Sequence, residues 1–97
     1  MILSAMARRD LVAALAWYRA ESDALADEFE SDFDIALRRI ADFPEAWTPF
    51  GAGERACRLR RFPYRVIYRR FGLRVVVVAV AHVAREPGYW SASDPPE

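Results

Sequence analysis

Lysine is absent from this 97-residue chain, and all fourteen basic residues are arginine. A GC-rich genome accounts for such a bias, so by itself it points to no function. Histidine and cysteine occur once each, as His82 and Cys57. A single cysteine rules out an internal disulfide and fits a reducing compartment. It also excludes a CxxC motif, and a lone histidine excludes paired imidazoles at metal-binding spacing. With so few serines beside them, little is left from which to build a nucleophilic triad. Only four glycines are present, and no Gly-rich phosphate loop. The valine-rich run Val75–Ala81 is seven residues, far short of a bilayer span. The first residues show no basic segment followed by a long apolar stretch, which is the pattern of a secretory leader. The expectation is one soluble, cytoplasmic domain over 1–97, with neither metal nor cofactor and no membrane partner.

The net charge of zero conceals a segregation that codon usage does not explain. Residues 1–54 hold eleven acids and five arginines, a balance of −6; residues 55–97 hold nine arginines and three acids, a balance of +6. An arginine-rich half suits an acidic partner or phosphates, since guanidinium groups bind both bidentately. The overall pI near 6.6 is unlike that of a dedicated nucleic-acid binder, and no sequence-specific DNA binding by the chain alone is expected.

The chain is organised around residues 62–90, FPYRVIYRRFGLRVVVVAVAHVAREPGYW. Val75–Ala81 reads as a strand covered on both faces and central in a sheet, because its apolar run is unbroken rather than alternating. Tyr64–Arg69 has the β-branched and aromatic content of a neighbouring strand, and Arg70-Phe71-Gly72-Leu73 suits the hairpin link between them. Ahead of this lie a short edge strand within Met1–Ser4 and a helix over Ala5–Glu21, with Leu11, Ala14, Leu15 and Tyr18 on one stripe and Trp17 at its border. Ser22-Asp23 offers N-cap chemistry. A second helix, Ala24–Asp42, buries Leu25, Phe29, Phe33, Ala36, Leu37 and Ile40 and leaves Glu28, Asp32 and Arg39 in solvent. Two prolines and two glycines make 43–53 irregular, with Trp47 and Phe50 capping the edge of the core. Residues 54–61 alternate as a half-buried strand that turns Ala56, Arg58 and Arg60 to one side and Cys57 and Leu59 to the other. Residues 91–97 read as a frayed tail. The fold class is α+β: a helical hairpin packed on a small, mostly antiparallel sheet, in the order β-α-α-β-β-β.

The residues with chemistry to offer are Arg58, Arg60, Arg65, His82, Arg85, Tyr89 and Trp90. Guanidinium groups can neutralise a phosphate, and His82 or Tyr89 can move a proton or stack on a base. The same set can bind an acidic protein. Tyr64 and Tyr68 read as packing residues, Tyr89 and Trp90 as a latch tying the tail to the sheet, and His82 equally as a structural or a working histidine.

RFPYRVIYR…VVVVAVAHVAREPGYW, with Ala7-Arg8-Arg9-Asp10-Leu11, the Ala16-Trp17-Tyr18 of the first helix and Phe43-Pro44-Glu45, resembles the RelE/ParE superfamily of bacterial toxins. Within it, the chain is most similar to the ParE-like branch, the plasmid stabilisation proteins. The resemblance spans about Ile2 to Trp90. It implies the toxin of a type II toxin–antitoxin system, wrapped and neutralised by a cognate antitoxin. Relatives of the ParE kind inhibit DNA gyrase by binding; those of the RelE kind cut ribosome-bound mRNA. Against the RelE pattern, Arg65 matches the strand arginine, and Arg58 and Arg60 match two basic positions. Ala56 replaces a third, and Arg85 and Tyr89 stand at altered spacing. If the RelE chemistry applied, Arg58, Arg65, Arg85, Tyr89 and His82 would carry it. These departures favour gyrase over the ribosome as target, hence binding rather than catalysis. An inactive relative that only pairs with the antitoxin is the third expectation.

Overall fold

The structure is a computed structural model that describes residues 1–85, 88 and 89. A helical hairpin covers one face of a five-stranded sheet. The elements are β1 (Ile2–Leu3), α1 (Ala5–Glu21), α2 (Asp23–Asp42), β2 (Thr48–Pro49), β3 (Arg55–Arg58), β4 (Tyr64–Phe71) and β5 (Arg74–His82), and the strands lie in the order β1-β5-β4-β3-β2. Every pairing is antiparallel except β1 with β5.

Both helices begin on a serine. Ser4 Oγ accepts from the Ala7 N–H (3.1 Å) and starts α1. Ser22 closes α1 with its own N–H on Tyr18 O and opens α2 by accepting from the Leu25 N–H (3.0 Å). One residue thus serves two helix ends, which is why the link between the helices is so short. Their inner stripes bury Ala7 and Ala14 from α1 and Phe29, Phe33, Ala36 and Ile40 from α2 against Val66, Tyr68, Val77 and Val80 of the sheet. Tyr18, Phe29, Phe62 and Tyr64 form an aromatic knot there, with ring centroids 4.9–6.2 Å apart. Tyr68 is buried, its hydroxyl donating to Pro44 O (2.6 Å), so Tyr64 and Tyr68 are packing residues as read. Trp17 is not at the border of the core: it is 70% exposed on the outer side of α1.

The sheet departs from the expectation in three places. β5 is interior as read, lying between β1 and β4, but it is not regular. The unbroken apolar run of β5 arises in part from a bulge. Ile67 pairs with Ala79 and Tyr68 with Val77, leaving Val78 as an extra residue. The side-chain alternation restarts there, so Val75, Val77 and Val80 pack toward the helices while Val78, Ala79 and Ala81 pack on the other face. Next, residues 43–53 contain the short strand β2, which pairs Thr48 with Ala56 and Pro49 with Arg55. Finally, β3 ends at Arg58 instead of running to Arg61. There the chain turns over Asp32, whose carboxylate accepts from the Arg60 and Arg61 N–H groups (3.4 and 2.8 Å). Asp32 is therefore buried, at 3% exposure, and not solvated.

Between β4 and β5 the tip is only Gly72–Leu73, closed by the Phe71–Arg74 pair. Gly72 takes φ 64°, the first-position glycine of a type II′ connection.

Candidate functional site

Pairing parity decides which side chains share a face. Arg58 and Arg65 are register partners across β3 and β4, and Arg65 pairs with Ala81 across β5. All three lie on the face turned away from the helices, with Ala56, Ile67 and Ala79. Like charges directly opposite one another are unfavourable in a sheet. Neither Arg58 nor Arg65 has an ion pair among the described residues. Arg65 is steadied by Phe50, whose ring centroid lies 5.3 Å from its Cζ, and by donation to Val83 O (3.3 Å).

The loop that delivers Phe50 is itself locked. Gly51 has φ 78°, and a Cβ there would come 2.9 Å from Glu54 Oε1. Glu54 is buried and accepts from Arg69 Nε at 2.6 Å, while its carbonyl accepts the Phe50 N–H (2.8 Å).

A third cation comes from the helical hairpin. Arg39 was read as solvated, but it is half-buried: its Cζ sits 4.5 Å from the Trp47 ring centroid and its Nη1 donates to Arg58 O (3.3 Å). Trp47 Nε1 donates back to Arg39 O (3.1 Å). Arg39, Trp47, Thr48, Phe50, Ala56, Arg58 and Arg65 line one cleft of about 480 Å³. Arg39, Trp47 and Phe50 were not among the residues singled out for chemistry. The signal available was aromatic content in a Pro/Gly loop beside a basic strand, but nothing local shows that the loop folds back over Arg39.

The remaining candidates are dispersed. Arg60 lies beyond β3, in the turn held by Asp32, and its side chain is exposed. His82 ends β5 on the opposite face from Arg65: it pairs with Tyr64, and their rings are 5.3 Å apart at 78°. Its Nδ1 accepts from the Ala84 N–H (3.0 Å), which places the proton of the neutral ring on Nε2. Arg85 is exposed after β5, with its Cζ 4.0 Å from the Tyr89 ring centroid. Tyr89 packs on Ala56, Ile67, Ala79 and Ala81 and donates its hydroxyl to Asp10 Oδ2 (2.6 Å). The same oxygen accepts from the Val80 N–H (2.9 Å), so Asp10 satisfies β5 where the two-residue β1 has run out. Burial, then the hydrogen bond to Asp10 and the charge of that carboxylate, push the Tyr89 hydroxyl far above the ordinary value of 10.0. Trp90 lies outside the described residues, as does the 91–97 tail. Cys57 of β3 is buried on the side facing the helices, and its thiol is pushed up by desolvation, against the opposing pull of Arg39 and Arg60.

Among the described residues no cluster of His, Cys, Asp and Glu could hold a metal ion, and no helix is long and apolar enough to cross a membrane. A search of the curated proteins finds no match. Among solved structures, the chain is similar to one described as the chromosomal ParDE TA system from P. aeruginosa. The TM-score is 0.70 at 18% identity, over 84% of this chain and 95% of that one, and the likeness extends to the fold. The family model for the ParE toxin of the type II toxin–antitoxin system, parDE, matches residues 1–87, and the chain belongs to that family.

Proposed function

We propose that the chain is a growth-inhibiting toxin that acts by binding DNA gyrase in the cytoplasm and is neutralised by a cognate antitoxin. Membership of the ParE family supports the toxin–antitoxin part of this reading. One observation supports binding over RNA cleavage: among the described residues, no group beside Arg58 and Arg65 is poised to move a proton. Tyr89 is committed to Asp10 and resists ionisation, and His82 is on the other face of the sheet. A ribonuclease needs an acid or base within hydrogen-bond reach of the scissile phosphate. Cations without one can bind charge but have no means of completing that chemistry.

The test is a supercoiling assay with purified gyrase, run beside cleavage of ribosome-bound mRNA on the same preparation. Inhibition of supercoiling with intact mRNA is the expected result. Cleavage at the ribosome with supercoiling unaffected overturns the reading and turns attention to Arg58, Arg65, Arg85, Tyr89 and His82 as a RelE-type set. Silence in both assays, with no arrest of growth on expression, leaves an antitoxin-binding relative.

A further inference from the structure

We propose that the cleft lined by Arg39, Arg58 and Arg65 is the docking site for a carboxylate-bearing segment of the antitoxin, with Arg39 of the helical hairpin as an essential third cation. The inference rests on the toxin–antitoxin reading above and adds the place and chemistry of the contact. Three features of the cleft support it.

The first is unspent charge. Arg39, Arg58 and Arg65 have no ion pair among the described residues, although fourteen acids are present in the chain. Arginines elsewhere do find acids, as with Arg69 on Glu54 and Arg70 on Glu45. Three guanidinium groups gathered at one cleft without a counter-charge call for one from outside.

The second is preorganisation. Arg39 is held over Trp47 and by Arg58 O, and Arg65 over Phe50 and by Val83 O. Both guanidinium groups are oriented before anything binds, so little side-chain entropy remains to be lost.

The third feature separates peptide from nucleic acid. Base stacking needs free aromatic faces, and here the Trp47 and Phe50 rings already have guanidinium groups against them. The zero net charge of the chain gives no general attraction for a polyanion. The cleft also opens at a sheet edge: β2 begins only at Thr48, opposite Ala56, so among the described residues the outer side of β3 beside Cys57 and Arg58 has no strand partner. An extended acidic segment fits such an edge.

The test measures affinity between the full chain and the antitoxin encoded beside it, by calorimetry, for wild type and four variants. Arg58→Glu changes an exposed strand residue and leaves the fold intact, to be verified by thermal melting. Arg39→Gln keeps a hydrogen-bonding arm on Arg58 O while removing the charge, and Arg65→Gln does the same opposite Arg58. Arg74→Glu makes the same charge change at the far end of β5. The expected result is a loss of about thirtyfold or more for Arg58→Glu and about tenfold or more for Arg39→Gln and Arg65→Gln, against about twofold or less for Arg74→Glu. Affinity unchanged in Arg58→Glu and Arg39→Gln overturns the cleft and leaves the toxin–antitoxin reading standing. A wild-type chain that does not bind that antitoxin overturns both. A single-stranded RNA 12-mer that binds the wild type and loses affinity in the same variants overturns the peptide in favour of a phosphate chain.

Discussion

Toward the helices the sheet presents Tyr64, Val66, Tyr68, Val77 and Val80; away from them it presents Ala56, Ile67, Ala79 and Ala81, with Arg58 and Arg65 at one end. The first face is thick and interlocked, its aromatic rings meeting edge to face beneath two helices. The second is thin. Alanines leave a shallow floor on which Phe50 and Tyr89, both from outside the sheet, can lie. The difference separates two tasks: one face supplies the cohesion of the domain, and the other can carry opposed charges because little of the stability depends on it.

The largest effect that would probe this contrast is Phe29→Ala. Phe29 is fully buried at the centre of the aromatic knot, and its loss should cost about 3–5 kcal/mol. For a domain of this size that is a large share of a total of about 5–15 kcal/mol. Urea denaturation should show a native state that barely persists. A loss under about 1 kcal/mol would mean that the helix-facing side is not the main source of cohesion.

Next in size is Asp32→Ala. It strips the Arg60 and Arg61 N–H groups of their acceptor where the chain leaves β3, at about 1–3 kcal/mol. Amide exchange should speed up first in the 59–63 turn. Uniform exchange across the sheet would show that the turn is not held by this carboxylate.

Tyr89→Phe should cost about 1 kcal/mol through the lost bond to Asp10, and it has a pH signature. The folded-state pKa of Tyr89 lies above 10.0. The folded chain therefore keeps a proton that the unfolded chain releases as pH rises through 10. The contribution is fully present below pH 10 and is lost as pH rises beyond it. Stability of the wild type should fall between about pH 10 and 12. The fall should be shallower in Tyr89→Phe but not absent, because burial also raises the hydroxyls of Tyr18, Tyr64 and Tyr68. Parallel slopes in the two proteins would show that the Asp10–Tyr89 bond does not persist in solution.

The smallest expected change in stability is the most pointed. Arg58→Glu converts a like-charge pair opposite Arg65 into an opposite-charge pair, and should leave the fold unharmed or stabilise it by about 0.2–1 kcal/mol. Growth inhibition or antitoxin binding should fall in the same variant. A destabilised fold would mean that the arginine face is structural after all.

Both helices, the serine between them and the hairpin follow from patterns that lie within one element. Leu11, Leu15 and Tyr18, and Phe29, Phe33 and Ile40, keep helical spacing, and glycine marks the tip at Gly72. The candidate site was legible only in part, because it depends on relations between elements. Arg58 and Arg65 could be named, but their shared face, and the absence of His82 from it, needed the register. The bulge at Val78 was hidden because a run of valines contains no alternation to interrupt. Asp32 and Arg39 lie off the apolar stripe of α2. What buries them is the 59–63 turn and the Trp47 loop, which no helical wheel contains.

β1 is only Ile2–Leu3, yet it is laid parallel to Val76–Val77, more than seventy residues later in the chain. On a ribosome, α1 and α2 emerge early with only each other to cover their apolar stripes. The first strand made must wait for the last one. A chain so wired gains little by folding piecemeal, since contacts of long sequence separation are needed to complete the sheet. The sheet can close only after β5 has been synthesised, so an interruption of translation before residue 74 yields a chain that lacks the strand joining β1 to β4.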